Sequence, residues 1–339
     1  AGVVAALSSA AGALASGQQE AAQVAAALQA NPYMQAGVQD AVTEAVAQFL
    51  EDTAVMAAVG QVLAYEMRSL SANEAVLDGL ADAVSRSVQI WLGEPLGSAV
   101  GDQVGAAVAS LAGSTVVVDA VIGAAQSLVS TFLTFAGVSV ALSSAAGDAA
   151  LVLFSTGDVA AAVAAAGQEV AGSAAVSDGV AAAVSAAVTR VLGDGQLWPV
   201  VDGVVASLVG ELLGDEPVQQ ALAAVVASAV EVRVTGPLGV FLGEQLGSVV
   251  VAVLTDPTVE SGVRGVVDTL FSDFFGSAGV VDALSLAAGA LASGQQDAAQ
   301  VAAALQANPV MQAGVQVAVT DAVAQFLEDT AVLAAVGGV

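Results

Sequence analysis

The 339-residue chain contains no cysteine, no histidine and no lysine. Its five basic residues are all arginines: Arg68, Arg86, Arg190, Arg233 and Arg264. Without Cys or His there is no disulfide, no thiol nucleophile, no imidazole base and none of the usual ligand sets for zinc or iron–sulfur clusters. Without lysine there is no phosphate-binding P-loop and no Schiff base. Against five arginines stand 32 acidic residues, a net charge of -27 and a pI near 4.1. With no basic patch, binding of DNA or RNA through phosphates is excluded as an expectation. Aromatics make up 4%. No catalytic residue, metal site or cofactor is predicted.

What the chain does have is small apolar side chains. It is 57% hydrophobic, mostly alanine and valine, with a mean hydropathy of +0.84. Charged residues are few but recur along nearly the whole length. The best candidate for a membrane span is Leu128–Ala146, about the length of a bilayer crossing. It is interrupted by Ser, Thr and Gly, and Ala136-Gly137 reads as a break between two helices.

Internal repeats organise the chain. Residues 1–62 align without gaps to 278–339, identical at 54 of 62 positions. The eight differences are Ala5/Asp282, Ser9/Leu286, Glu20/Asp297, Tyr33/Val310, Asp40/Val317, Glu44/Asp321, Met56/Leu333 and Gln61/Gly338. A diverged copy begins at Ala136. The organisation is therefore a long repeat A over 1–135, a long repeat B over 136–277, and the start of a second A over 278–339. Neither end carries a polar capping unit. That predicts a window on a longer array, or ends that pack on other chains.

A shorter period of about 21 residues lies inside the long one. Breaks fall near Pro32, Thr53, Glu74, Pro95 and Thr115, and again near Pro217, Pro237 and Pro257. All seven prolines stand at or near breaks, several behind an acidic or small residue, the pattern of a helix start. Gly93 and Gly214 read as helix stops. Each unit is expected to be a helix of about 17 residues, roughly 25 Å long. Apolar positions such as Val38, Ala41, Val42, Ala45, Val46, Phe49 and Leu50 follow helical spacing. Strict alternation is absent, so the valine content does not signal strands. The fold class expected is all-α: tandem helical repeats stacked as an α-solenoid or elongated bundle, with consecutive helices antiparallel.

The commonest charged motif places aspartate after Val-x, at Asp40, Asp78, Asp119, Asp178, Asp202, Asp268 and Asp282. Asp78, Asp119, Asp178, Asp202 and Asp282 fall in or next to the first turn of an expected helix, where an aspartate meets the positive end of the helix dipole. A calcium ladder would need six to eight converging oxygens, and Gly193-Asp194-Gly195 supplies too few. Carboxylate pairs such as Asp40/Glu44, Asp78/Asp82, Glu51-Asp52 and Asp215-Glu216 suit acid–base chemistry by spacing. The near-identical copy nevertheless has Val317 where the first has Asp40, which favours a solvated face. Trp91 and Trp198 are expected as core fillers, with lateral contact the alternative.

Units such as VQDAVTEAVAQFLEDTAVMAAVG, PVVDGVVASLVGELLGDEPVQQAL and LGEQLGSVVVAVLTDPTVESGV resemble the Ala/Val/Gly-rich tandem repeats of large exported mycobacterial and other actinobacterial envelope proteins, some of which follow a PE-type domain. The resemblance implies an extracellular or cell-surface protein without catalysis. The expected function is a non-enzymatic stalk, filament or layer whose partner is itself. The alternatives are a lipid-binding helical tube and a membrane-associated oligomer.

Overall fold

The computed structural model describes residues 2–16, 20–93, 96–233 and 237–338. Among these there are helices and no strand. The helices are α1 Gly2–Ala15, α2 Ala21–Gln29, α3 Pro32–Glu51, α4 Thr53–Ser71, α5 Glu74–Leu92, α6 Leu96–Gly113, α7 Thr115–Thr134, α8 Val138–Thr156 and α9 Val159–Gly172. They continue as α10 Ala174–Leu192, α11 Leu197–Gly214, α12 Glu216–Arg233, α13 Pro237–Leu254, α14 Pro257–Gly276, α15 Ala278–Ala292, α16 Ala298–Ala307, α17 Pro309–Glu328 and α18 Thr330–Gly338. The all-helical expectation holds. Most helices run 18–20 residues rather than about 17, because a break between helices consumes as little as one residue.

That break has one recurring form. Asn31, Asp52, Asn73, Asp256, Asn308 and Asp329 leave the helical backbone, and each side chain accepts the N–H two residues on. The oxygen satisfies one of the amides that a helix start leaves without an intrahelical partner. At Asn31, Asp52, Asp256 and Asn308, φ is -72 to -77° and ψ is 112 to 122°. Such a corner turns the chain without reversing it. Across Thr255 and Asp256, α13 and α14 meet at 75°.

This geometry corrects the expectation that consecutive helices are antiparallel throughout. Side-by-side packing of neighbours occurs at α5/α6, α8/α9 and α12/α13. Glycines at positive φ, Gly93 (72°) and Gly157 (72°), end the first helix of the α5/α6 and α8/α9 pairs. Gly93 stops its helix as expected. Gly214 does not: it stays helical and Asp215 makes the corner. Glu94, Pro95 and Gly236, expected at breaks, lie outside the described residues.

The chain divides into two units, each drawing segments from all three long repeats. One comprises 1–62, 125–187 and 288–301. In it α8 packs against both α3 and α9. Gln39 hydrogen-bonds Asp148 at 2.5 Å, and Thr43 crosses closely at Gly147. The other comprises 63–124, 188–287 and 302–339. Here α6 contacts α5, α11 and α12, and α14 contacts α11, α13, α17 and α18.

Close approach in this second unit depends on glycine. Gly97, Gly101 and Gly105 form a stripe on α6, and a Cβ at these positions would stand 2.8, 2.7 and 2.5 Å from backbone carbonyl oxygens of α5. Gly243 and Gly247 place α13 against α12 in the same way. Spacing of four residues puts the stripe on one helix face. We predict that Gly105→Ala lowers stability by about 1–3 kcal/mol through overpacking. Gly79→Ala on α5, where a Cβ meets nothing within 4 Å, raises it by about 0.5–1 kcal/mol through helix propensity. Thermal melts followed by circular dichroism distinguish the two; equal shifts in one direction contradict this packing.

Candidate functional site

The repeated aspartates do not converge. Asp78, Asp119, Asp178 and Asp282 are the fifth residues of their helices and Asp202 the sixth, next to the first turn as expected but just past the residues that the dipole favours most. The capping role expected of them belongs to the corner residues instead. Asp119 meets Arg68 at 3.0 Å and Asp82 meets Arg86 at 3.4 Å, both as exposed ion pairs. Such pairs contribute about 0–1 kcal/mol. Asp178 accepts from Gln295 at 3.0 Å. Among the described residues no three acidic side chains gather as a metal site would require.

One pair from the motif does meet. α11 and α14 lie antiparallel: Trp198 stacks on Phe275 with ring centroids 4.6 Å apart, Asp202 faces Asp268, and Gly210 leaves room for the Arg264 guanidinium. Burial, and then the Asp268 carboxylate that shares a hydrogen bond with it, hold Asp202 above the usual carboxylate range. Spacing along a single helix could not reveal this pair, since its members come from different helices. Arg264 turns to Glu260 on its own helix.

A raised pKa means that the folded chain keeps a proton which the unfolded chain has released. The pair therefore costs stability as pH rises above the ordinary value near 3.8, and costs none below it. We predict that Asp202→Asn raises the melting temperature at pH 7 and leaves it unchanged at pH 3. Equal shifts at both pH values contradict the pairing.

The tryptophans differ. Trp198 is half-buried, and its indole N–H donates to the Leu192 carbonyl at 2.9 Å. Trp91 stands in solvent at 83% exposure beside Ile90 at 85%. The core expectation thus suits Trp198, and the lateral-contact alternative suits Trp91.

Apolar surface is the dominant feature. Among the described residues, the buried apolar side chains are alanines and valines plus Ile122 and Leu197, with no aromatic. Phe49, Tyr65, Phe241 and many valines and leucines are exposed. A cavity of about 270 Å³ opens among Met67, Leu77, Leu80, Val118 and Val121. A second, of about 340 Å³, lies between Phe271, Phe274 and Phe275 of α14 and Val315 and Val319 of α17. Neither has a titratable side chain in its lining. These faces suit association with other apolar surface rather than acid–base or nucleophilic chemistry. The chain matches no known family, no characterised protein and no solved structure in the comparisons made.

Proposed function

We propose that the protein is a non-catalytic structural repeat protein of the cell surface or extracellular space, which assembles with its own copies through apolar helix faces. The observation that carries this reading is the large apolar side chains left in solvent, among them Phe49, Tyr65, Ile90, Trp91 and Phe241, each more than half exposed. Apolar surface exposed to this degree marks association sites. Carboxylates at the corners and on outward faces keep the remainder soluble and limit random association. The repeated sequence supports assembly too, because stacked repeats bury faces that one repeat alone leaves open.

A membrane-associated oligomer is the second reading. Among the described residues five helices, α7, α8, α10, α11 and α17, are long and apolar enough to cross a bilayer, and the bent pair α13 and α14 would make a sixth span if taken as one. The stretch 128–146 is not one of them: Phe135–Gly137 breaks it, and its halves belong to α7 and α8. All five carry at least one carboxylate, with Asp148 and Asp321 near the midpoints of α8 and α17. Each such residue costs about 2.5–3.5 kcal/mol at the bilayer centre. That favours assembly in water.

The test is sedimentation of protein purified without detergent, with co-purifying lipid quantified by mass spectrometry. Soluble particles several times the 32.6 kDa chain, free of lipid, are expected. A lipid-free monomer contradicts the assembly reading, and recovery only in detergent favours the membrane reading.

A further inference from the structure

Along α14, on the side that meets α11, three charged residues stand one turn apart: Glu260, Arg264 and Asp268. Arg264 is within reach of either acid, the one four residues before it or the one four residues after it. It takes Glu260, and its guanidinium lies against Gly210 of α11, where a Cβ would collide with it. Among the described residues its buried Nε finds no acceptor in that place. A buried donor without an acceptor costs free energy, so Arg264 holds this position by a small margin.

At the other end of the row Asp202 of α11 meets Asp268, carboxyl to carboxyl, in a hydrogen bond. Two carboxyl groups share such a bond only when one of them holds a proton, because a carboxylate has nothing to donate. The structure therefore shows the row in its protonated arrangement, with Asp268 engaged by Asp202 and Arg264 turned the other way. Loss of that proton leaves two carboxylates face to face, and the strongest attraction for Arg264 then lies at their end of the row.

The helices packed on α11 and α14 bring other charges. α6 carries Asp102, which accepts from Ser85; α12 carries Glu216, which accepts from Gln220, together with Glu231 and, as its last residue, Arg233. α13 carries Glu244, α17 carries Asp321 and Glu328, and α18 carries none. On α11 itself Glu211 accepts from Ser207, and Asp273 lies farther along α14. Of all these, Asp268 alone acts on Asp202 through its charge. Repeat A has no such row. The places 142 residues earlier are Gly60 for Asp202, Arg68 for Gly210, Val118 for Glu260, Ile122 for Arg264 and Gln126 for Asp268. There Val118 and Ile122 are buried apolar core, and Arg68 is paired with Asp119. The five positions change as a set.

We infer that Arg264 is a proton-operated toggle, paired with Glu260 while Asp202 and Asp268 share a proton and moved to Asp268 when both are ionised. The contact between α11 and α14 is thus closed carboxyl to carboxyl in acid and bridged by Arg264 at neutral pH. Burial and the facing Asp268 carboxylate hold Asp202 above its ordinary 3.8, so the change falls above that pH. The toggle does not depend on the assembly reading.

Asp202→Asn removes the second charge at every pH and keeps Arg264 on Glu260. Arginine guanidinium nitrogens and, in separate samples, aspartate or glutamate carboxyl carbons are isotope-labelled, and solid-state NMR reads their dipolar contacts at pH 7. With five arginines in the chain, Arg264→Lys identifies the Arg264 signal by its loss. The expected result is an aspartate contact in the unmodified chain, and in the Asp202→Asn chain its loss with gain of a glutamate contact. Contact with the same kind of acid in both chains overturns the inference. A second measurement follows the driving proton. Trp91→Phe leaves Trp198, one turn before Asp202, as the sole indole. Its emission is expected to titrate with pH, and to lose that titration when Asp202→Asn is added. Emission that is flat, or that titrates alike in both chains, also overturns the toggle.

Discussion

Everything in this chain depends on how closely helices with small side chains can approach. Alanine, valine and glycine offer little depth, so a helix face made of them gains dispersion and burial only where backbones come near one another. Gly97, Gly101 and Gly105 permit that approach between α5 and α6, and Gly243 and Gly247 permit it between α12 and α13. Away from such places the faces remain open. Valine- and glycine-rich helices of 18–20 residues have modest intrinsic stability, so in the proposed assembly covering the open faces adds to what holds them.

The corners set which faces are left open. An Asn or Asp corner caps the next helix and turns the chain by an angle such as the 75° between α13 and α14, so neighbours in sequence diverge. Partners then come from farther along, as with α3 on α8 and α17 on α14.

Much of this was legible in the sequence. Helical class, the 21-residue period and the break positions follow from proline placement and apolar spacing, since both report local backbone requirements. The long-repeat boundaries at 135/136 and 277/278 fall in the bends before α8 and α15. The direction of the chain at each break was not legible, because Gly93 and Gly214 both read as stops, while Gly93 ends a hairpin arm and Gly214 stays helical with the corner at Asp215. The Asp202–Asp268 pair was hidden because it joins two helices whose register no local pattern encodes. The glycine stripe on α6 had a visible signal in its spacing of four, and the structure supplies the partner backbone that gives it meaning.

The central claim is that folding and association are coupled. It is tested most directly by urea unfolding of the detergent-free protein, followed by helical circular dichroism over a hundredfold range of chain concentration. Coupling predicts a midpoint that rises with concentration, because association draws on the folded state alone. A midpoint that stays constant over that range would mean each chain is stable by itself, and would contradict the account.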